Sequence, residues 1–286
     1  MDKNIADVSV VVANYNNGKY VSRFLSSVAV SSFLPKELII VDDGSVDDSV
    51  SVIEAFSRDA DYLKLIKFAS NRGFAHALNQ GLRSATGKYI MRVDPDDYIS
   101  PKRIEAQYKF LENNPGVDIL GSNIEYFDSA QGNIIFSSNT PPGHEGILRE
   151  FKNGNCGIIH GSMMCRRLAI GQFVYEQGNV PAEDYELFSR MLKVGCVAGN
   201  LPEVLTFVRI HSNSISNSLP FDTIQKTFRL KHEIWGTKTS YFAVRRIHLY
   251  LYYYRRFLFC KGWKRYVFLF YAALLNPRKV IARITF

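Results

Sequence analysis

Residues 87–97 read Gly-Lys-Tyr-Ile-Met-Arg-Val-Asp-Pro-Asp-Asp, an apolar run followed directly by three carboxylates in four positions. Tyr89–Val93 has the length and composition of a buried strand. The carboxylates of Asp94, Asp96 and Asp97 repel one another and need a counter-charge, which a divalent cation with hard oxygen ligands could supply. The alternative is a turn that begins the next helix, since Asp and Pro both favour turns. These residues alone leave both interpretations open.

The residues before this strand alternate β-branched runs with helical spacing of apolar residues. The sequence predicts further strands at Val8–Ala13, Leu38–Val41 and Leu63–Phe68, with helices between them. Such alternation produces right-handed βαβ units, and therefore a mostly parallel sheet with helices on both faces. Ligands bind these sheets at the carboxyl ends of the strands, where this sequence has polar residues at 14–16 and 42–45. Neither a dinucleotide fingerprint nor a P-loop occurs there.

Residues 117–220 have a different pattern, which predicts a region of mixed structure. A hairpin is expected from Ile124–Phe127 and Ile134–Ser137. A helix is expected at Glu183–Val194, closed by a glycine, and a strand at Leu205–Ile210.

Positive charge and aromatic residues concentrate at the end of the chain. Residues 221–286 contain 14 Lys and Arg against 2 Asp and Glu, a net charge of +12, so residues 1–220 carry −4 of the total of +8. The same segment contains 17 aromatic residues. Aromatic rings beside Lys and Arg suit the boundary between water and an anionic lipid surface, so we expect a helical tail that attaches to a membrane. The alternative is a helical subdomain that buries its aromatic residues and solvates its charges.

The spacing of the cysteines and the length of the apolar segments indicate where in the cell the protein is expected. The four cysteines form no close pair, which disfavours a zinc knuckle or a disulfide scaffold and fits a reducing environment. The longest apolar run, Tyr266–Leu275, has ten residues, fewer than the ~20 needed to span a bilayer. The first residues lack the apolar core of a signal peptide. The expected location is the cytoplasm, peripheral on the inner face of the plasma membrane.

Motifs follow one another in a fixed order over residues 8–217. They are Val11-Val12-Ala13-Asn14-Tyr15-Asn16, Asp42-Asp43-Gly44-Ser45, Asn71-Arg72-Gly73, the stretch from Ala77 to Asp97, Pro101-x-Arg103 with Gln107, Glu183-Asp184-Tyr185-Glu186-Leu187 and Arg209-Ile210-His211-Ser212-Asn213. Together they resemble the family 2 inverting glycosyltransferases of the GT-A fold, in the branch that builds bacterial surface polysaccharides. Ala13 and Pro95 stand where other residues are common in that family, but neither change removes a functional side chain.

The resemblance implies transfer of a sugar, with inversion, from a nucleotide-sugar to a hydroxyl of a growing glycan. A UDP-sugar is the expected donor, the acceptor could be lipid-linked, and the product would be a surface polysaccharide or lipopolysaccharide. For the donor, the resemblance implies contacts from Ala13, Tyr15, Asp43, Arg72 and Asp94. For a Mn²⁺ or Mg²⁺ ion, it implies Asp96 and His211 with Asp97. For catalysis, it implies Asp184 as the general base, with Glu183 beside it.

The expected fold is therefore α/β and GT-A-like. A mostly parallel nucleotide-binding sheet, flanked by helices, would merge with a mixed acceptor-binding half in residues 1–220, and residues 221–286 would form the basic aromatic helical tail. Of Asp42 and Asp43, one would form an Asx turn with the following glycine, and Asp43 is the expected ligand. Three histidines, His76, His144 and His160, have no chemical role in this interpretation.

Three other classes of protein fit the sequence less well. A sugar-phosphate nucleotidyltransferase would need a glycine-rich basic loop after the first strand, which residues 14–18 lack. A nucleic-acid-binding protein that used the basic tail would leave the acidic tetrad unexplained, so no nucleic-acid partner is expected. A catalytically inactive scaffold is disfavoured because Asp96 and Asp184 are both present.

Overall fold

The computed structural model describes residues 4–130, 132–210, 220–260 and 262–284. The chain divides into two compact units. One consists of Met1–Glu125 and Ser137–Val208, and the other of Tyr126–Phe136 and Arg209–Phe286. The division at residue 220, between a catalytic domain and a tail, stays a prediction.

The strands form one mixed sheet. Their bounds are β1 Asn4–Asn14, β2 Phe33–Asp42, β3 Leu63–Lys67, β4 Tyr89–Arg92, β5 Tyr98–Ile99, β6 Ile119–Asp128, β7 Ile134–Ser137, β8 Met164–Arg166 and β9 Ala198–Ile210. Their order is β3-β2-β1-β4-β8-β6-β9-β5, and β7 pairs with β6. The four strands from β3 to β4 are parallel, whereas β8 pairs antiparallel with both β4 and β6. The predicted α/β fold, with a parallel part that merges into a mixed part, is confirmed.

Helices connect and cover the strands. Their bounds are α1 Gly18–Ala29, α2 Ser49–Ser57, α3 Phe74–Ser84, α4 Arg103–Asn113, α5 His144–Lys152, α6 Arg167–Ile170, α7 Glu183–Lys193, α8 Phe221–Trp235, α9 Tyr241–Phe259, α10 Lys264–Leu275 and α11 Pro277–Ile284. In α1 the apolar residues Val21, Phe24, Leu25 and Val28 recur at helical spacing and are buried. Helix α3 lies very close to β1, since a Cβ at Gly81 would be 2.4 Å from a methyl carbon of Val11.

Strand β1 lies at the centre of the parallel part and is covered on both faces. Val8, Val10 and Val12 point to one face and are fully buried in a cluster with Phe24 and Leu25 of α1. Burial on both faces explains why β1 and β2 appear in the sequence as continuous apolar runs rather than as alternating patterns.

The second unit contains α8 to α11. Tyr250, Tyr254 and Phe257 of α9 form a small core with Ala272 of α10 and Val280 of α11. A further cluster joins α8 to α9 through Ile224, Phe228 and Val244. Among the described residues, no helix has both the length and the apolar composition required to cross a membrane.

Candidate active site

Two neighbouring strands of the parallel part end in a hydrogen-bonded pair, Asn14 and Asp42. The Asn14 amide donates to Oδ1 of Asp42 at 2.7 Å. Asp42 also accepts from the backbone N–H and the hydroxyl of Ser45, at 2.9 and 2.6 Å. Asp42, rather than Asp43, therefore forms the turn after β2. The amide oxygen of Asn14 is buried and has no hydrogen-bond partner in the described part of the chain.

Asp43 anchors the loop that precedes α3. Its two carboxylate oxygens accept from the backbone N–H groups of Arg72 and Gly73, at 2.7 and 2.9 Å. Gly73 has a φ of 102°, a left-handed conformation that favours glycine. The structure thus brings together Asp43 and Arg72, two of the residues expected to bind the donor. Their contact uses the backbone of Arg72, whose guanidinium lies 5.1 Å from the centre of the Phe68 ring.

Ala13 and Tyr15 flank Asn14 at the end of β1. Ala13 is buried, whereas the Tyr15 ring is about half exposed and is accessible to a ligand at this edge of the sheet.

Asp94 follows β4 and is held by a buried arginine. Both terminal nitrogens of Arg92 donate to Asp94, Nη1 to Oδ2 at 2.7 Å and Nη2 to Oδ1. The guanidinium also lies over the Phe74 ring, 5.4 Å from its centre. Partial burial raises the pKa of Asp94, and the charges of Asp96 and Asp184 add to this, whereas Arg92 opposes it.

The three residues expected at the metal have different positions. Asp96 is half-buried in the turn after β4. Asp97 is buried and faces the positive charges of Arg92 and Arg103. His211 lies outside the described residues. Within the described ranges, no three His, Cys, Asp or Glu side chains converge on a position that could hold a metal ion.

The oxygen donors of this turn nevertheless fit a hard divalent cation. Mg²⁺ and similar ions are usually bound by one or two carboxylates, while substrate phosphates and water complete the coordination. Asp96 supplies such a carboxylate beside Asp94, so the site suits an ion that arrives with a diphosphate.

Arg103 connects the turn to the other half of the sheet. This fully buried side chain donates to the carbonyl oxygens of Arg92, Gly161 and Met163, at 3.1, 2.8 and 3.3 Å. It also donates to the Thr206 hydroxyl at 2.9 Å. Burial, together with the nearby charge of Arg92, lowers the pKa of Arg103 to about 9. The carbonyl oxygens stabilise the positive charge of Arg103, and these hydrogen bonds hold the end of β4 in place.

Glu183 and Asp184 begin α7. Asp184 accepts from the backbone N–H of Tyr185 at 2.6 Å, so the helix N-terminus stabilises its charge. Burial raises the pKa of Asp184. Glu183 is more deeply buried, and burial together with the charge of Asp184 raises its pKa to about 7. One oxygen of Glu183, Oε2, is buried without a hydrogen-bond partner among the described residues. The pair therefore combines an Asp184 whose negative charge the helix N-terminus stabilises with a Glu183 that titrates near neutral pH.

Three residues that the sequence did not point to lie beside this pair. His160 Nδ1 is 4.0 Å from Glu183 Oε1, and His160 Nε2 shares a 2.7 Å hydrogen bond with the Tyr175 hydroxyl. Burial lowers the pKa of His160 well below its ordinary value, and Arg92 adds to this, so the imidazole is neutral. Cys156 lies on an exposed loop with Sγ 3.9 Å from Asp184 Oδ2.

Arg92 joins the strand-end carboxylates to the helix-end pair. Burial lowers the pKa of Arg92, but the charges of Asp94, Tyr175, Glu183 and Asp97 outweigh this and leave the pKa raised. The charge of Asp184 in turn acts on Asp94. The site thus places an anionic strand edge, a buried cation and a candidate proton acceptor next to one another. That arrangement suits a reaction between one substrate that carries a diphosphate and a second substrate that loses a proton.

A mostly parallel sheet that merges into a mixed part, with carboxylates at its strand ends, defines the GT-A class of fold. Solved structures of that class agree. TarS residues 1–349 of S. aureus, in complex with UDP-GlcNAc, match 96% of this chain and 83% of that chain, with a TM-score of 0.64 and 18% identity. The mannosyltransferase PcManGT of Pyrobaculum calidifontis, in complex with GDP-Man and Mn²⁺, matches 100% of this chain and 81% of that chain, with a TM-score of 0.61 and 17% identity. At these identities the likeness shows the fold alone.

The sequence identifies the family. The model of glycosyl transferase family 2 matches residues 9–173, more than half of the chain, and the chain belongs to that family. The amylovoran biosynthesis glycosyltransferase AmsE of Erwinia amylovora is 26% identical over 246 residues, which cover 83% of this chain and 91% of AmsE. The chain is therefore a glycosyltransferase.

Proposed function

We propose that this glycosyltransferase moves a sugar, with inversion, from a UDP-sugar to a hydroxyl of a growing glycan. The product would be a bacterial surface polysaccharide or lipopolysaccharide, and the relationship to AmsE supports this setting. One observation carries the proposal: Arg92 donates to Asp94, and its charge also interacts with Asp97 and Glu183, which supports a single site for the strand-end and α7 carboxylates.

The donor would lie along the strand ends. Tyr15 offers an exposed ring for the nucleobase at the end of β1, next to Ala13. Asp43 shapes the loop around Arg72 and keeps lone pairs on both oxygens that can accept from the nucleotide. Asp94, oriented by Arg92, would accept from a ribose hydroxyl.

A divalent cation would be held by Asp96 and His211, with Asp97 as support from the interior. When bound with the donor, such an ion stabilises the negative charge that develops on the departing diphosphate. The half-buried position of Asp96 in the turn supports its assignment as the ligand.

The acceptor would be activated at α7. Asp184 would take the proton of the attacking hydroxyl, because its carboxylate is held by the Tyr185 N–H and burial raises its pKa, which makes it more basic. Glu183, whose pKa is raised to about 7, would be only partly ionised near pH 7 and stands beside Asp184 as the alternative base. Attack on the sugar face opposite the diphosphate would invert the anomeric centre.

The helical tail would hold the enzyme on the inner face of the plasma membrane. Its net charge of +12 would be attracted to anionic lipids, and a lipid-linked acceptor would be presented at the same surface.

A panel of nucleotide-sugars tests the donor. Each is scored for binding and hydrolysis with Mn²⁺, with Mg²⁺ and with a chelator. We expect a UDP-sugar to bind in the presence of metal, and the Asp184→Asn variant to bind it equally well but to transfer it poorly. Preference for another nucleotide overturns the UDP assignment, and full transfer by Asp184→Asn overturns the base.

A further inference from the structure

Helix α10 is apolar on both sides. Its inner side carries Ala272, which is fully buried, and Leu269 and Leu275, which pack into the core formed with α9. Its outer side carries five large residues that are 41–72% exposed: Trp263, Tyr266, Val267, Phe270 and Leu274. Trp263 is the N-cap residue and has helical φ and ψ, so it continues the helix. We call these five residues the α10 outer face.

The spacing of the five residues places them together. They follow one another at positions i, i+3, i+4, i+7 and i+11, which share one side of a helix with 3.6 residues per turn. Ala272 lies on the opposite side. A helix on the surface of a soluble domain normally carries polar residues where α10 carries this face. A contiguous exposed apolar face of this kind marks an interaction site.

The positive charge near the α10 outer face indicates which kind of surface it would bind. Residues 240–286 contain ten Lys and Arg and no Asp or Glu. A second copy of the same face would bring like charges together, which opposes association. An anionic lipid surface complements both properties, because its acyl region accepts apolar side chains and its headgroups attract Lys and Arg. Lys264 and Arg256, both exposed, lie on α10 and near the end of α9.

The length of α10 determines how it would lie. Its 12 residues extend about 18 Å, less than the ~30 Å of a hydrocarbon core. Trp and Tyr prefer the headgroup boundary, where the ring and its polar atom are both satisfied. The helix is therefore suited to lie in the plane of the boundary.

We infer that the α10 outer face inserts into the headgroup–acyl boundary of an anionic bilayer. The inference rests on the proposed membrane attachment and goes beyond it. Attachment by charge alone would leave α10 outside the lipid and would disappear at high salt. Insertion buries Trp263, Phe270 and Leu274 among acyl chains, and this contribution persists when charges are screened.

Tryptophan fluorescence of the full chain tests the insertion. The protein contains two tryptophans, so Trp235→Phe leaves Trp263 as the only reporter. The probe is a vesicle of phosphatidylcholine with about one third phosphatidylglycerol, an anionic surface. We expect the Trp263 emission to shift to shorter wavelength and to be quenched by lipids brominated on their acyl chains.

Substitutions on the face test it independently. Tyr266→Ser with Phe270→Ser should reduce flotation with these vesicles by at least about tenfold, and flotation of the wild type should persist in part at high salt. The matched control is Leu168→Ser on α6, a residue that is 80% exposed in the other unit and should leave flotation unchanged. Circular dichroism checks that the helices of each variant are intact. If the double variant misfolds, the single variant Leu274→Ser tests the same face with a smaller change.

Three outcomes would overturn the inference, and each points to a different explanation. If the protein floats but the Trp263 emission neither shifts nor is quenched, attachment is electrostatic and α10 stays outside the lipid. If the protein ignores anionic vesicles at low salt, the membrane attachment fails too, whereas sugar transfer to a soluble acceptor is unaffected. If the emission shifts without vesicles while the mass in solution doubles, a second copy covers the face.

Discussion

The carboxylate of Asp94 receives both terminal nitrogens of Arg92, which stands only two residues earlier in the chain. Arg92 is buried at the end of β4, so the guanidinium is fixed and the carboxylate has one orientation. The same guanidinium acts on the charge of Glu183 in α7. A change at Arg92 should therefore affect donor binding and the catalytic carboxylates together.

Replacing Arg92 by Ala should weaken donor binding at least about tenfold and destabilise the fold by about 3–5 kcal/mol, because buried carboxylates lose their counter-charge. Arg92→Lys keeps the charge but cannot donate bidentately, so it should recover stability more than affinity. Calorimetry with UDP and urea unfolding measure the two effects. Arg83→Ala, an exposed change on α3, is the control. Normal affinity in Arg92→Ala would show that the orientation of Asp94 is unimportant.

Asp96→Ala should remove the metal dependence of donor binding. In the wild type, UDP should bind much more tightly with Mn²⁺ or Mg²⁺ than with a chelator, since the ion links the carboxylate to the diphosphate. In the variant, the two conditions should give the same weak affinity. Asp59→Ala, on an exposed turn, should behave as wild type. A metal effect that survives in Asp96→Ala would move the ligand role to another carboxylate.

Asp184→Asn should lower the rate of transfer at least about 100-fold with little change in donor affinity. The amide preserves the size of the side chain and can still accept from the Tyr185 N–H, but it takes no proton. Single-turnover transfer and UDP binding separate the two quantities. If transfer proceeds at the wild-type rate, Glu183 becomes the candidate base.

Glu183→Gln should make the protein more stable at pH 8 than the wild type. Below the ordinary pKa of 4.5 the carboxyl is protonated in both states. As the pH rises, the unfolded chain ionises first, while the folded chain keeps the proton until about pH 7. The wild type therefore loses up to about 3 kcal/mol of unfolding free energy across this window, and the variant avoids that loss. Urea unfolding at pH 5 and pH 8 measures it, and a wild type that gains stability relative to the variant at pH 8 would contradict the raised pKa.

The effects of His160→Phe and Tyr175→Phe on the free energy of unfolding should be coupled. Each removes the same buried 2.7 Å hydrogen bond, so the double variant should cost less than the sum of the single ones, by about 1 kcal/mol. Thermal or urea unfolding of all four proteins gives the coupling. Because the imidazole is neutral, the coupling should be the same at pH 6 and pH 8, and a strong pH dependence would indicate a charged His160.

The sequence predicted much of the parallel part of the fold because its inner strands are buried on both faces. Such strands are continuous apolar runs with polar ends, and this pattern located β1, β2 and β4. Strands β5 and β8 have two and three residues, too few for any periodicity, and only the sheet around them defines them.

Sequence motifs pointed to the clustered carboxylates of the candidate site, but not to the residues that distant loops bring beside them. Asp94 and Asp184 stand out as clustered carboxylates, whereas His160 and Tyr175 are single residues in irregular segments. Their contact with Glu183 depends on how those segments cross the sheet, which local patterns do not encode. Local hydrogen bonding did not separate the roles of Asp42 and Asp43, because adjacent residues of the same type offer the same local hydrogen bonds, and only the family resemblance singled out Asp43.

Strand β4 has a parallel neighbour on one side and an antiparallel neighbour on the other. The proposed donor residues all precede residue 98, and the proposed base lies beyond residue 182. In the proposed function, the contacts to the donor and the base are therefore encoded in separate stretches of the gene. A chimaera that joined these stretches from two relatives would combine the donor contacts of one with the base of the other. The antiparallel pairing of β4 with β8 is a contact that such a chimaera would have to preserve.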